Sequence, residues 1–167
     1  MTEHIKEKAH DRGTVPTMSI RDYFAGKELL VTGATGLVGR VLIEKILRDL
    51  PEVDRVHVLI RPNAGRSGRT ASAQDRLEQE ILGSTAFDRL RRMHGDRFES
   101  LVGDKLVAVA GDLTKEDLGL DAATLGRLQS AVQVIVNSAA VVSFDAPLVS
   151  AFETNTIGTM RILEFAR

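Results

Sequence analysis

The sequence contains no cysteine, no tryptophan, a single tyrosine and only four prolines. Without cysteine, the chain has no disulfide framework, no thiolate metal site and no acyl-cysteine intermediate. It also lacks any run near the roughly 18 apolar residues that a membrane-spanning helix needs, and its first residues lack the apolar core of a secretory signal. We therefore expect a soluble protein of the cytoplasm.

An excess of charge of either sign is also missing. The 22 lysines and arginines balance 23 aspartates and glutamates, so the net charge of -1 provides no general attraction to nucleic acid. The four histidines are scattered without metal-ligand spacing, so no metal site is expected; they are His4, His10, His57 and His94. With 43% hydrophobic and 27% charged residues, the 167-residue chain is typical of one globular domain.

Apolar runs alternate with helical periodicities after a charged leader, which we assign to residues 1–25. Four continuous apolar runs predict buried strands: Leu29–Thr32, Val56–Ile60, Leu106–Ala110 and Val132–Val136. Right-handed helical crossovers between them predict a doubly wound parallel α/β sheet with strand order 3-2-1-4 over residues 26–167. A complete Rossmann-like sheet adds two more strands, so we expect the fold to be incomplete in this chain.

Local signals refine this outline. The glycine, serine and arginine content of Arg61–Ser72 predicts a mobile loop. Between residues 75 and 93, the apolar period predicts two short helices hinged near Gly83. Asp121 is typical of a helix N-cap, and Pro147 fits the first turn of a final helix.

Three glycines lie between the first strand and the helix that follows it. Gly33 permits a tight turn, Gly36 lets a pyrophosphate approach the backbone, and Gly39 lets the helix lie close to the strand. The free N–H groups at the helix start then face the phosphates. This Gly-x-x-Gly-x-x-Gly spacing predicts a dinucleotide site, the alternative being a turn selected only for packing. The predicted cofactor-binding residues of this turn are Gly33, Thr35, Gly36, Leu37, Val38, Gly39 and Arg40.

The second strand ends in Arg61, and the next acidic residue is Asp75. Enzymes that select NAD place an acid at this strand end to bind the adenosine ribose, whereas a guanidinium suits a 2′-phosphate. Arg40, directly after the last glycine, is placed to reach the same phosphate. We therefore predict NADPH as the cofactor, the alternative being two solvated surface charges.

Four motifs, in this order, resemble those of extended short-chain dehydrogenases: Thr32–Gly39, Gly111–Leu113, Asn137–Ala140 and Asn155–Thr159. More narrowly, four segments resemble the N-terminal half of alcohol-forming fatty acyl-CoA reductases: Ser19–Lys27, Leu59–Pro62, Phe87–Arg91 and Gly111–Thr114. The resemblance covers about residues 19–167. It implies that the complete enzyme uses NADPH to reduce a long-chain acyl-CoA, through an aldehyde, to a fatty alcohol.

The resemblance also implies roles for five residues. Asp112 would accept a hydrogen bond from the adenine amino group, with the Leu113 backbone beside it. Ala139 and Ala140 would lie under the cofactor, and Asn155 matches the asparagine that supports a proton-relay water in the family's catalytic tetrad. From the residues alone, Asp112 also suits a turn, the alanines suit tight helix–sheet packing, and Asn155 suits a helix surface.

The family's reduction step requires a tyrosine acid and a lysine four residues later on one helical face. The only matching pair is Tyr23 and Lys27, which precedes the first strand, and we interpret it as a coincidental match. No lysine follows Lys115. We therefore predict the cofactor-binding portion of a reductase that does not transfer hydride by itself. Its fourth strand should expose an apolar edge that favours self-association.

Two alternatives remain open from the sequence. The thioester-reductase domain of carboxylic acid reductases and peptide-synthetase assembly lines shares the fold and the glycine turn. A non-catalytic NADP(H)-sensing module would explain the missing tyrosine and lysine as its natural condition.

Overall fold

The main sheet has four parallel strands in a computed structural model that describes residues 18–64 and 70–167. The strands are β1 (Glu28–Thr32), β2 (Arg55–Ile60), β3 (Leu106–Ala110) and β4 (Val132–Asn137). They lie in the order β3-β2-β1-β4, so the predicted doubly wound topology is confirmed.

The strands are continuous apolar runs because both faces of the sheet are covered. Leu29, Leu30 and Val31 of β1 are all fully buried. Leu29 and Val31 belong to one hydrophobic cluster, whereas Leu30 belongs to a second cluster on the opposite face. Helical side chains between Ile43 and Val102 complete the first cluster, and those of Leu128, Ile162 and Phe165 complete the second.

The helices alternate with the strands along the chain. Their bounds are α1 (Ile20–Phe24), α2 (Leu37–Asp49), α3 (Ala73–Arg76), α4 (Asp88–His94), α5 (Phe98–Lys105), α6 (Ala122–Ala131), α7 (Leu148–Phe152) and α8 (Gly158–Phe165). One π-helical turn, Leu77–Leu82, continues α3, and another, Glu153–Ile157, joins α7 to α8. Within residues 18–64 and 70–167, no helix is long and apolar enough to cross a bilayer.

Most local predictions are confirmed. Gly83 ends the helical segment that begins at α3, and a new helical turn starts at Thr85. Asp121 caps α6 by accepting a hydrogen bond from the Thr124 backbone N–H at 2.9 Å. Pro147 is the residue directly before α7.

The loop prediction for Arg61–Ser72 is partly wrong. Asn63–Ala64 pairs with Thr70–Ala71 in a short antiparallel ribbon, and Ser72 caps α3 through the Asp75 backbone N–H. Residues 65–69 of the predicted loop lie outside the described residues. A strand of two residues is too short to show the alternation of apolar and polar residues that predicts longer strands, so the sequence pattern does not reveal this ribbon.

Helix α5 was not predicted. It buries Phe98 and Val102, one helical turn apart, on the same hydrophobic cluster as α2. The segment also contains Gly103, a poor helix former, and is only eight residues long. Its stability therefore depends on tertiary packing rather than on local propensity.

The predicted leader is only partly described. Residues 1–17, with His4 and His10, lie outside the described residues. Helix α1 falls within the leader, and Phe24 at its end packs against the hydrophobic core. Of the other histidines, His57 is buried in β2, with its Nε2 atom 2.6 Å from Oε2 of Glu28.

Candidate functional site

A cleft of about 500 Å³ opens at the carboxyl ends of the four strands. Doubly wound sheets bind ligands here, at the point between β1 and β4 where the strand order reverses. Eight of the predicted cofactor-binding residues line the cleft: Gly33, Thr35, Gly36, Arg61, Asp112, Leu113, Ala139 and Ala140. The fold therefore brings together segments that are up to about 100 residues apart in the chain.

Gly33 and Gly39 are required by backbone packing. Gly33 has a φ of +70°, and a Cβ atom there would lie 2.5 Å from the Ala139 backbone nitrogen. A Cβ atom at Gly39 would overlap with the Gly33 carbonyl oxygen. The turn is thus pressed against both its own helix and the loop after β4, and only glycine fits at these two positions.

Gly36 is the N-cap of α2, and no side chain caps this helix end. The first turn of α2 contains no acidic residue, and the Leu37 and Val38 side chains are exposed outside the cleft lining. The N–H groups of a helix's first turn have no intrahelical acceptors, and the helix dipole favours an anion beside them. This end of α2 can therefore hold a phosphate.

Arg40 does not line the cleft. Its Nε atom donates to the Gly36 carbonyl oxygen at 3.3 Å, within the first turn of α2.

Arg76 is a cleft residue that the sequence analysis missed. Its Nη1 atom donates to the Arg61 carbonyl oxygen at 2.5 Å, and its Nε and Nη2 atoms donate to the Glu80 carboxylate at 2.6 and 2.8 Å. The hydrogen bond from Arg76 holds the pKa of Glu80 below its ordinary value, and Glu80 in turn raises the pKa of Arg76. The i,i+4 spacing of Arg76 and Glu80 predicts the ion pair, but nothing local places it beside Arg61.

Asp112 forms a turn and also faces the cleft. Its Oδ1 atom accepts hydrogen bonds from the Thr114 backbone N–H at 3.0 Å and from the Thr114 hydroxyl at 2.9 Å. The following residue, Leu113, is buried, and its carbonyl oxygen accepts a hydrogen bond from Arg161 at 3.1 Å. The turn-forming role is thus present, and the adenine contact remains a prediction.

Asn155 lies in the π-helical turn after α7 and does not line the cleft. Its Oδ1 atom accepts from the Val141 backbone N–H at 2.8 Å, and its Nδ2 atom donates to the Val141 carbonyl oxygen at 3.0 Å. Val141 does line the cleft. Asn155 is therefore more than a surface helix residue, because both ends of its amide hold the loop after β4. Its role at a proton-relay water remains a prediction.

Asn137 at the end of β4 is a second residue that the sequence analysis left without an individual role. The Thr32 hydroxyl donates to its Oδ1 atom, and its Nδ2 atom donates to the Thr159 hydroxyl at 3.3 Å. That hydroxyl donates in turn to the Asn155 carbonyl oxygen at 2.9 Å. One chain of hydrogen bonds thus links β1, β4 and the turn that carries Asn155.

Tyr23 and Lys27 lie far from this cleft. Both precede the amino end of β1, whereas the cleft is at its carboxyl end. The Lys27 ammonium nitrogen lies 3.3 Å from the centroid of the Tyr23 ring. The pair therefore makes a local cation–π contact outside the cleft.

The residues of the cleft fit a dinucleotide. At Gly36, an added Cβ atom would lie 3.2 Å from the Gly33 carbonyl oxygen and would fill space beside the uncapped start of α2. Arg61 adds positive charge on the β2 side, Arg76 lies beside it in an ion pair with Glu80, and Ala139 and Ala140 leave room on the β4 side. One continuous cleft thus offers donors suited to phosphates and a surface of small side chains suited to a flat ring.

Residues 31–167 match an NAD-binding family described as "Male sterility protein". The chain belongs to this family. Among its curated relatives, Fatty acyl-CoA reductase 1 of Mus musculus is 39% identical over 150 residues, which are 90% of this chain and 27% of the mouse protein. Fatty acyl-CoA reductase 2, chloroplastic, of Arabidopsis thaliana is 33% identical over 150 residues, 90% of this chain and 24% of that protein. The predicted resemblance to fatty acyl-CoA reductases is thus confirmed, and the chain spans about a quarter of the relatives' length.

A solved structure with the same fold is the reductase (R) domain of a non-ribosomal peptide synthetase from Mycobacterium tuberculosis. It has a TM-score of 0.62 and 33% identity, and the match covers 84% of this chain and 30% of that one. This member of the Male sterility protein family therefore has a Rossmann-like domain of the extended short-chain dehydrogenase type, with a cleft for a nicotinamide dinucleotide.

Proposed function

We propose that this chain is the NADPH-binding portion of a reductase that converts long-chain acyl-CoA thioesters to fatty alcohols. The observation that carries the proposal is the cleft, in which an uncapped helix start, two arginines and two alanines lie at the switch point of the sheet. The substrate class is supported by the curated relatives, which are named fatty acyl-CoA reductases.

The preference for NADPH rests on Arg61 and Arg76. Because Glu80 and the Arg61 carbonyl oxygen bind Arg76, its guanidinium is already held in one conformation beside the end of β2. In doubly wound sheets this strand end faces the adenosine ribose, and a guanidinium binds a 2′-phosphate through charge-assisted hydrogen bonds.

Titrating the chain with NADPH and with NADH, while monitoring the fluorescence of the reduced cofactor, tests this preference. NADPH should bind at least roughly tenfold more tightly than NADH, the effect of about one charge-assisted hydrogen bond. The difference should shrink as salt is added, because salt screens exposed charges. Equal affinities for the two cofactors would contradict the NADPH proposal.

In the proposed reaction, bound NADPH would supply one hydride to the thioester carbonyl carbon, from which CoA leaves as the thiol, and a second NADPH would supply the hydride that reduces the resulting aldehyde to the alcohol. Protons from solvent would complete the thiol and the alcohol. The residues of this chain bind and orient the cofactor. The start of α2 would hold the pyrophosphate, and Arg61 and Arg76 would hold the 2′-phosphate, while Asn155 fixes the loop that bears Ala140 and Val141. A fixed loop would limit the motion of the bound cofactor, which would lower the entropic cost of hydride transfer.

This chain by itself should bind NADPH without oxidising it. Its single tyrosine lies beyond the amino end of β1, so no phenol is placed to protonate a substrate in the cleft. The absorbance of NADPH should therefore stay constant when the chain is mixed with palmitoyl-CoA, while the titration above shows binding. Steady oxidation of NADPH that depends on palmitoyl-CoA would refute this expectation.

A second candidate is a thioester reductase that acts on an acyl group held by a carrier protein. The likeness to the peptide-synthetase R domain, at 33% identity, favours it. Assays of a reductase that contains this chain, with free and with carrier-bound acyl thioesters, distinguish the two candidate functions. The acyl-CoA reductase should consume the free CoA thioester and release the alcohol, whereas the second candidate should require the carrier-bound thioester.

A further inference from the structure

The Asp112 carboxylate is held through one of its two oxygens. Oδ1 accepts both hydrogen bonds from Thr114, whereas Oδ2 has no hydrogen-bond partner among the described residues. Asp112 lines the cleft directly after β3, on the side of β1 where Arg61 and Arg76 lie. The arrangement leaves one negatively charged acceptor in a defined orientation on the adenosine side of the cleft.

Arg161 of α8 acts on the same turn through a single peptide group. Its Nη1 atom donates to the Leu113 carbonyl oxygen at 3.1 Å. That carbonyl belongs to the same peptide unit as the Thr114 N–H, which donates to Asp112 Oδ1 at 3.0 Å. A donor on the oxygen of a peptide polarises its N–H, so the two hydrogen bonds reinforce each other. The Arg161 guanidinium is thus linked to the Asp112 carboxylate across one peptide.

The backbone around this turn is fixed from the other side as well. Asp117 and Leu118 have φ values of 49° and 57°, a left-handed conformation that costs non-glycine residues free energy. This conformation directs the Leu118 carbonyl oxygen to the Asp112 N–H at 2.6 Å, while the Leu118 side chain is fully buried. Because the fold retains this unfavourable backbone conformation at Asp117 and Leu118, it fixes the position of the Asp112 backbone.

Helix α8 packs closely on the turn. A Cβ atom added at Gly158 would lie 3.1 Å from the Leu113 Cβ atom, so the small residue lets the helix approach. Three residues further on, Arg161 reaches the Leu113 carbonyl oxygen from the same helix face. The helix therefore holds both the side chain and the backbone of Leu113.

We infer that Arg161 is a positioning residue for adenine recognition: through the Leu113–Thr114 peptide it orients Asp112, whose second oxygen accepts a hydrogen bond from the adenine amino group. This inference rests on the proposed NADPH site and deepens it. It explains how the turn-forming role of Asp112 and its role towards the cofactor are compatible, since each uses a different oxygen of the carboxylate.

The experiment compares NADPH with its hypoxanthine analogue, which carries a carbonyl in place of the adenine amino group. The wild-type chain should bind NADPH roughly tenfold more tightly, the effect of one hydrogen bond to a charged acceptor. Arg161→Leu should reduce this ratio to about twofold, and Arg161→Lys, which retains a cationic donor, should restore most of it. A merely structural role of Arg161 would weaken both ligands equally and leave the ratio unchanged.

Arg127→Leu is the matched control, because Arg127 is exposed on α6 and does not line the cleft. Its ratio should equal that of the wild type. Thr114→Ala removes the second donor to Oδ1 and should also lower the ratio, which keeps the test open if Arg161→Leu fails to fold.

The possible failures are distinct. If the wild type binds neither ligand, the proposed cofactor site is wrong, and this inference falls with it. If the wild type binds both ligands equally, or if the ratio survives Arg161→Leu and Thr114→Ala in folded protein, Arg161 has no such role while the cofactor site stands.

Discussion

At the residue scale, Gly33 and Gly36 belong to one turn but meet different requirements. Gly33 has a positive φ and lies against the loop after β4, so a side chain there is excluded by the fold itself. Gly36 has a φ of -76° and a ψ of 166°, which any residue adopts, and a Cβ atom there would meet only the Gly33 carbonyl oxygen, at 3.2 Å. The first glycine is therefore required by the fold, and we propose that the second serves binding.

Alanine substitutions should separate these two roles. Gly33→Ala should lower the free energy of unfolding by at least about 2 kcal/mol, because it combines a left-handed backbone with overlap against backbone atoms. Gly36→Ala should cost less, on the order of 1 kcal/mol, because alanine is a poorer N-cap than glycine and its Cβ atom meets only the Gly33 carbonyl oxygen. It should nevertheless weaken NADPH binding more than tenfold, since the methyl group occupies the approach to the α2 N–H groups.

Urea denaturation and NADPH titration of both variants give the two quantities. Gly103→Ala is a suitable control, because nothing lies within 4 Å of a Cβ atom at that position of α5. Wild-type affinity in Gly36→Ala would show that the phosphates do not approach the backbone there.

At the element scale, the caps of the helices and the π-helical turn before α8 decide which groups the helices present to the cleft. Helix α2 leaves its first N–H groups without a side-chain cap, whereas α6 is capped by Asp121. The π-helical turn Glu153–Ile157 inserts an extra residue between α7 and α8. Asn155 lies within that turn and reaches the Val141 backbone. At the cleft, α2 thus presents uncapped N–H groups, and the π-helical turn brings Asn155 to the loop after β4.

The cap of α6 should make stability depend on pH in acid. The Thr124 backbone N–H, followed by its hydroxyl, lowers the pKa of Asp121 from its ordinary value of 3.8. A carboxylate whose pKa is lowered by folding stabilises the folded state fully above that ordinary value. Its contribution is lost as the pH falls from 3.8 through the lower pKa of the folded state.

Asp121→Asn tests this contribution, because asparagine caps a helix without titrating. Thermal unfolding should show a smaller loss of stability for Asp121→Asn than for the wild type as the pH falls below 3.8, with little difference at neutral pH. Other carboxylates titrate in both proteins, so only the difference between the two curves is informative. Parallel curves throughout would argue against the cap.

At the scale of the whole molecule, the sheet ends in β4 on one side and β3 on the other. Val134, Ile135 and Val136 of β4 are only partly buried, whereas β1 next to it is almost fully buried. Several large apolar side chains in the segment that follows β4 are exposed, among them Phe144, Leu148 and Phe152. An unpaired apolar edge strand is a template for pairing with another strand.

We propose that two copies of this chain associate through the β4 edge. Sedimentation velocity should show a mass that rises with protein concentration. Hydrogen exchange should show β4 amides that become more protected over the same range, while α2 amides stay unchanged. A monomer at every concentration would contradict self-association, and a dimer without β4 protection would place the contact elsewhere.

Much of the candidate site follows from the sequence because its parts are local. The glycine turn, Arg61, the Asp112 turn and the alanines after β4 all directly follow predicted strands, and parallel strands bring their carboxyl ends to one edge. Asn155 was found through a family motif, but its contact with Val141 was not, because that contact spans a loop whose path no pattern predicts. Arg76 was missed for the same reason, since it meets Arg61 only after the intervening ribbon forms.

The sequence by itself determined the four strands, their order and the glycine turn after the first strand. Apolar periodicity, the right-handed crossover and the freedom of glycine act over short stretches of chain or as general rules of topology. Only the tertiary structure decided that Arg76 lies beside Arg61, that Thr32 binds Asn137, and that Arg161 holds the turn of Asp112. These contacts join side chains with backbone or side-chain groups up to 105 residues apart, and their distances depend on how whole elements pack.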